Sequence, residues 1–99
     1  MTVNKVEHGF LYIAVNGFPA EDGKSSRRVF VEKGEVVEFR YFHPVNFRTQ
    51  DNLYLNCEEE HFLKNTKVYG KIWENVRSRN KNNLKQILEC ELYDKVKED

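Results

Sequence analysis

Leu84-Lys85-Gln86-Ile87-Leu88-Glu89-Cys90-Glu91-Leu92-Tyr93-Asp94-Lys95-Val96 is the stretch on which the fold class turns. Leu84, Ile87, Leu88, Leu92 and Val96 form a helical stripe. Glu91 and Lys95 are an (i, i+4) pair in the favoured direction, and Leu, Lys, Gln and Glu are good helix formers. On this reading a C-terminal helix lies across a sheet. Yet Leu88, Cys90 and Leu92 also alternate with Glu89, Glu91 and Tyr93, as a strand requires. On that reading residues 67–96 form one long hairpin, and a small all-β barrel becomes the alternative architecture. The helix is the expectation carried forward.

Upstream, residues 9–16 (GFLYIAVN) are apolar and rich in aromatic and β-branched side chains, and predict a strand. Residues 17–26 hold Gly, Pro, Asp-Gly and two serines, and predict a loop. Residues 28–33 and 35–43 alternate, and the turn at Lys33-Gly34-Glu35 joins them into a β-hairpin. Pro44 ends that strand, and residues 45–51 are read as a connection held by Asp51 and Asn52 side-chain bonds. Residues 52–57 form the fourth strand. Residues 58–65 form one helical turn with acids at its start, and residues 67–76 form the fifth strand. The expectation is a single α+β domain over residues 1–99, an antiparallel sheet of about five strands with a C-terminal helix.

Sixteen basic and sixteen acidic side chains give no net charge. A generic nucleic-acid binder carries a basic excess, so charge-driven binding must rest on local patches. Two cysteines, Cys57 and Cys90, are too few for a disulfide-stapled secreted domain. Met1–His8 has no apolar signal-peptide core, and no run reaches the roughly 20 apolar residues of a membrane span. The chain reads as cytoplasmic, with reduced thiols and no membrane partner.

One stretch reads as a working surface. By strict alternation the fifth strand puts Val68, Gly70, Ile72 and Val76 toward the core. Its other face then carries Lys67, Tyr69, Lys71, Trp73, Asn75, Arg77 and Arg79. Rings interleaved with cations suit a protein partner, because Tyr, Trp and Arg are hot-spot residues. They also suit single-stranded nucleic acid, where bases stack on rings and cations track phosphates. The structural alternative is burial of Tyr69 and Trp73 under the C-terminal helix, with lysines as rims. A second, weaker grouping is Arg40, His43 and Arg48 around a sheet rim, able to meet a nucleotide or anion if the 45–51 segment folds back.

Cys57 and His61, one helical turn apart if helical, could ligate a metal, but two further ligands at suitable spacing are missing. The same pair as nucleophile and base lacks an orienting third group and an oxyanion hole. Glu58, Glu59 and Glu60 read as a solvated acidic face, and the glycines form no phosphate cradle. No catalytic residue, cofactor or metal is expected. The leading expectation is a small non-enzymatic binding or inhibitory protein acting on a macromolecular partner through Tyr69, Lys71, Trp73, Arg77 and Arg79. Immunity proteins and phage anti-defence factors share this size and composition. The alternatives are a single-stranded nucleic-acid-binding module and a protein that binds or sequesters a small ligand. A homo-oligomer through exposed strand edges is also possible.

Overall fold

Residues 84–96 satisfy their two readings in succession, first as a helix and then as a strand. The computed structural model describes residues 9–42, 44–74, 76 and 83–96. They form β1 (Phe10–Ala14), β2 (Phe18–Asp22), β3 (Arg28–Val31), β4 (Val36–Tyr41), β5 (Val45–Arg48), β6 (Tyr54–Cys57), α1 (Glu59–Asn65), β7 (Thr66–Ile72), α2 (Leu84–Glu89) and β8 (Tyr93–Lys95). The strands make one open antiparallel sheet of eight, in the order β3-β2-β6-β5-β4-β1-β7-β8. The expected five-stranded sheet with a C-terminal helix is thereby corrected. The barrel alternative is corrected too, because β3 and β8 end the order without pairing to each other.

α2 starts with Asn83, whose side chain accepts from Gln86 N–H while the Gln86 side chain accepts from Asn83 N–H, a capping box. It stops because Glu91 adopts a φ of 51°. Glu91 N–H then reaches the Leu88 carbonyl at 3.3 Å and Leu92 N–H the Ile87 carbonyl at 3.0 Å, the two bonds of a Schellman stop. Glycine usually occupies that position, so the stop carried no sequence signal. The chain continues into β8, which pairs with β7 through Ile72↔Tyr93, Lys71↔Asp94 and Gly70↔Lys95.

Two strands lie in segments expected to be loops. β2 buries Phe18 and Ala20 and leaves Pro19 and Glu21 exposed. Pro19 is tolerated because β2 pairs with β6 only at Glu21 and Asp22, so no ladder bond there needs its missing N–H. β5 is only four residues, VNFR, with three of them buried. The expected 28–43 hairpin is also corrected. Gly34 makes the turn with a φ of 91°, and Glu35 N–H closes it on the Glu32 carbonyl at 3.1 Å. The end of β1 captures this turn, with Gly34 N–H on the Ala14 carbonyl at 2.8 Å. β3 then pairs with β2, while β4 pairs with β1 and β5.

Alternation divides the core between two faces. The first face buries Tyr12, Phe18, Phe39, Phe47 and Leu55 around Phe62 of α1. Phe62 has no exposed surface, and its ring centroid lies 5.0 Å from Tyr12 and 5.2 Å from Phe47. The second face buries Leu11, Val36 and Ile72 under Leu84 and Ile87 of α2. No helix among the described residues is long and apolar enough to cross a membrane.

Candidate functional site

α2 covers the second face over β1 and β7, where its Leu84 and Ile87 meet Leu11 and Ile72. Across β4, β5 and β6 the same face is polar. There Glu38, Asn46, Arg48, Tyr54 and Asn56 alternate with the first-face residues Phe39, Val45, Phe47, Leu55 and Cys57. Arg40 joins them by the same alternation from Glu38, and a bulge in β4 adds Tyr41 beside it. Phe39 opposes Phe47, but Tyr41 rather than Arg40 opposes Asn46, so two residues share one partner.

These side chains lock one another. Arg40 Nη1 donates to Asn46 Oδ1 at 3.2 Å, and Asn46 Nδ2 donates to Asn56 Oδ1 at 2.6 Å. The Arg40 guanidinium lies 4.4 Å from the Tyr54 ring centroid and 5.6 Å from that of Tyr41, within cation–π range. Arg48 Nη2 bonds Glu38 Oε1, its cross-strand partner, at 2.6 Å. Asn46 is only 3% exposed, whereas Tyr41 is 52% exposed. The array is thus a rigid polar floor with an aromatic rim. Among the described residues, Arg48 Nε is buried without a hydrogen-bond partner, so the floor keeps one unused donor there. The neighbouring β5–β6 turn is held by the Thr49 hydroxyl, which accepts from Asp51 N–H at 3.3 Å and Leu53 N–H at 3.2 Å. The expected Asp51 and Asn52 side-chain bonds are not what holds it.

The fifth-strand face expected from the sequence divides. In the β1–β7 ladder Leu11 pairs with Gly70 and Tyr12 with Val68, which leaves Tyr69 as an extra residue. That bulge inverts the alternation. Tyr69 packs with the α2 cluster on the second face, its ring centroid 5.7 Å from Tyr93. Lys71 pairs with Phe10 of the first face and places Nζ 5.7 Å from that ring. Trp73 follows β7, is 41% exposed and donates Nε1–H to Asp94 Oδ1 at 3.2 Å. Lys71, Trp73, Glu74 and Asp94 line an open cleft of about 320 Å³. Tyr69 is therefore not brought together with Lys71 and Trp73. Asn75, Arg77 and Arg79 lie outside the described residues, as does His43. Arg40 and Arg48 do share one surface, flanking Asn46.

Cys57 and His61 line a cleft of about 240 Å³ with Pro19, Ala20, Glu21, Arg28 and Asn56. Burial, with the Glu58 charge beside it, pushes the Cys57 thiol up to about 12, so it stays protonated at neutral pH and is a poor nucleophile. His61 Nε2 lies 3.3 Å from the Pro19 carbonyl oxygen. No group of three metal-ligating side chains occurs among the described residues.

Asn46 and Asn56 were not singled out by sequence reasoning, whereas Tyr54 stood out as an aromatic opposite a more aliphatic side. The period-two spacing of Tyr54 and Asn56 was visible in 54–57, but Asn46 fell in a segment read as a connection. No family model matches the chain, and neither a curated protein nor a solved structure shows significant similarity to it.

Proposed function

We propose that this protein is a non-enzymatic binding module that acts by occupying a protein partner through the part of its second sheet face that α2 does not cover. The observation that carries this reading is the position of Arg40, hydrogen-bonded to Asn46 and stacked on Tyr54. An arginine fixed in that way has lost much of its rotamer freedom before a partner arrives, which lowers the entropic cost of association. Arg and Tyr are also the residue types that carry protein–protein binding energy. The Asn46–Asn56 amide pair and the Arg48–Glu38 pair set acceptors beside donors. The face therefore has mixed polarity instead of the basic excess that phosphate binding favours.

The test places a photo-crosslinking aromatic residue at position 41 in the full chain and irradiates it in an extract of the source cells. A single defined protein adduct that disappears with Arg40→Glu supports the reading. Adduct formation that survives Arg40→Glu and Tyr54→Ala excludes this surface. Binding of mixed single-stranded oligonucleotides that falls steeply with salt and is lost in Arg40→Glu replaces the protein partner with nucleic acid.

A further inference from the structure

β3 is the outermost strand at one end of the sheet, and its outer edge has no strand partner among the described residues. The Arg27 carbonyl accepts from Asp22 N–H at 2.8 Å. Ladder alternation then turns Val29 and Val31 toward β2 and directs the backbone N–H and C=O of Arg28 and Phe30 outward. Edge strands of monomeric proteins are commonly blunted by lysine, proline or a bulge. β3 reads RVFV and pairs with β2 in regular register throughout. Phe30 is 57% exposed, the largest exposure among the large hydrophobic residues described. Its ring lies over Gly17, where an added Cβ would come within 2.6 Å of it.

We infer that β3 pairs with β3 of a second copy of this chain across a two-fold axis perpendicular to the sheet. In an antiparallel self-pairing centred on Phe30, residues whose numbers sum to 60 stand opposite each other. Phe30 then faces Phe30, Val29 faces Val31, and Arg28 faces Glu32. Arg28, Phe30 and Glu32 all lie on the second face by alternation, so the pairing keeps both faces continuous. Each Phe30 exchanges N–H···O bonds with its copy. Arg28 N–H meets the Glu32 carbonyl, which already accepts from Glu35 N–H and keeps a second lone pair. The charges are self-complementary, because the axis generates two Arg28–Glu32 pairs, both from exposed side chains. Other even registers set Arg28 against Phe30 or Gly34 and lose both pairs. β8, at the other edge, is three residues long and carries Asp94 and Lys95, and offers no such match.

Five residues per copy make a small interface, so a weak, concentration-dependent dimer is expected. The test is sedimentation of the full chain from roughly 10 μM to 1 mM, a range in which weak association shows. Arg28→Glu and Glu32→Arg each place like charges across the axis and are expected to weaken self-association by about tenfold. Mixed in equal amounts, the two variants regain opposite charges at both pairs and are expected to form a heterodimer at least as tight as the native one. Phe30→Ser weakens the dimer without any charge change. Circular dichroism confirms that each variant is folded. A native chain that stays monomeric at about 1 mM, single variants that associate like the native chain, or a mixture no tighter than its components would each overturn the proposal. Any of these leaves the partner reading intact, since crosslinking from position 41 requires no second copy.

Discussion

Trp73 donates its indole N–H to the carboxylate of Asp94 at 3.2 Å, and this bond ties the end of β7 to β8. Asp94 is the cross-strand partner of Lys71, so the exposed end of the sheet carries a cation, a ring and an anion in sequence. The Trp73 ring is 41% exposed, placing it between core and solvent.

Trp73 emission should therefore be red-shifted and quenched by iodide in the native protein. Gly70→Val should increase both effects. An added Cβ at Gly70 would come within 2.7 Å of the Asp94 carbonyl oxygen and 2.8 Å of Tyr93 Cδ2, so β8 must leave β7 and take Asp94 with it. Unchanged emission in that variant would show that β8 does not depend on close approach at Gly70.

Phe62→Ala should be severely destabilising. The side chain is fully buried and joins Tyr12, Phe18 and Phe47, and emptying such a site costs about 3–5 kcal/mol. That is a large share of the roughly 5–15 kcal/mol available to a domain of this size. Urea denaturation measures it. Phe62→Leu should retain cooperative unfolding at a smaller cost.

Glu35 predicts a weak pH dependence. Burial raises its carboxyl pKa, a backbone hydrogen bond from Glu32 works against that, and the charges of Asp51 and Glu32 reinforce it. The native state then holds the proton more tightly than the unfolded chain, whose value is near 4.5. Stability contributed by protonated Glu35 is present below that pH and is lost as pH rises through the elevated native value. Glu35→Gln should stabilise the protein at pH 7 by roughly 0.5 kcal/mol or less, since the group is partly solvated. The gain should vanish when melting is repeated at acidic pH. A gain that persists there would point to packing as its cause.

The two thiols should differ in reactivity. Cys90 is exposed, whereas Cys57 is partly buried and its thiol is pushed up to about 12. Iodoacetamide at neutral pH should modify Cys90 at least ~10-fold faster than Cys57, because only the thiolate reacts. Mass spectrometry of partly labelled protein decides it. Equal rates would mean that the β6–α1 junction opens readily.

The sequence by itself determined which stretches alternate strongly enough to be strands. The segments holding β1, β3, β4, β6 and β7 were legible, and so was a helical segment at α1, because period-two and acid-first patterns are local. The capping box Asn83-x-x-Gln86 and the apolar spacing Leu84–Ile87 also lay open in the chain. Tertiary structure alone decided which strands meet. β3 and β4 flank a real turn yet belong to different neighbours, since pairing is won by burial of Phe18, Val31 and Val37 in one shared face. β2 and β5 were hidden because Pro19 and Asn46 break the apolar signature, and both are tolerated only where their neighbours fall. The candidate site shows the same division. Arg40 and Arg48 could be named from the sequence, but Tyr41 joins them beside Asn46 only through a bulge in β4, just as a bulge in β7 removes Tyr69 from Lys71 and Trp73. A bulge adds one residue to one strand relative to its partner, so it exists only in the pairing and leaves no mark on either strand read alone.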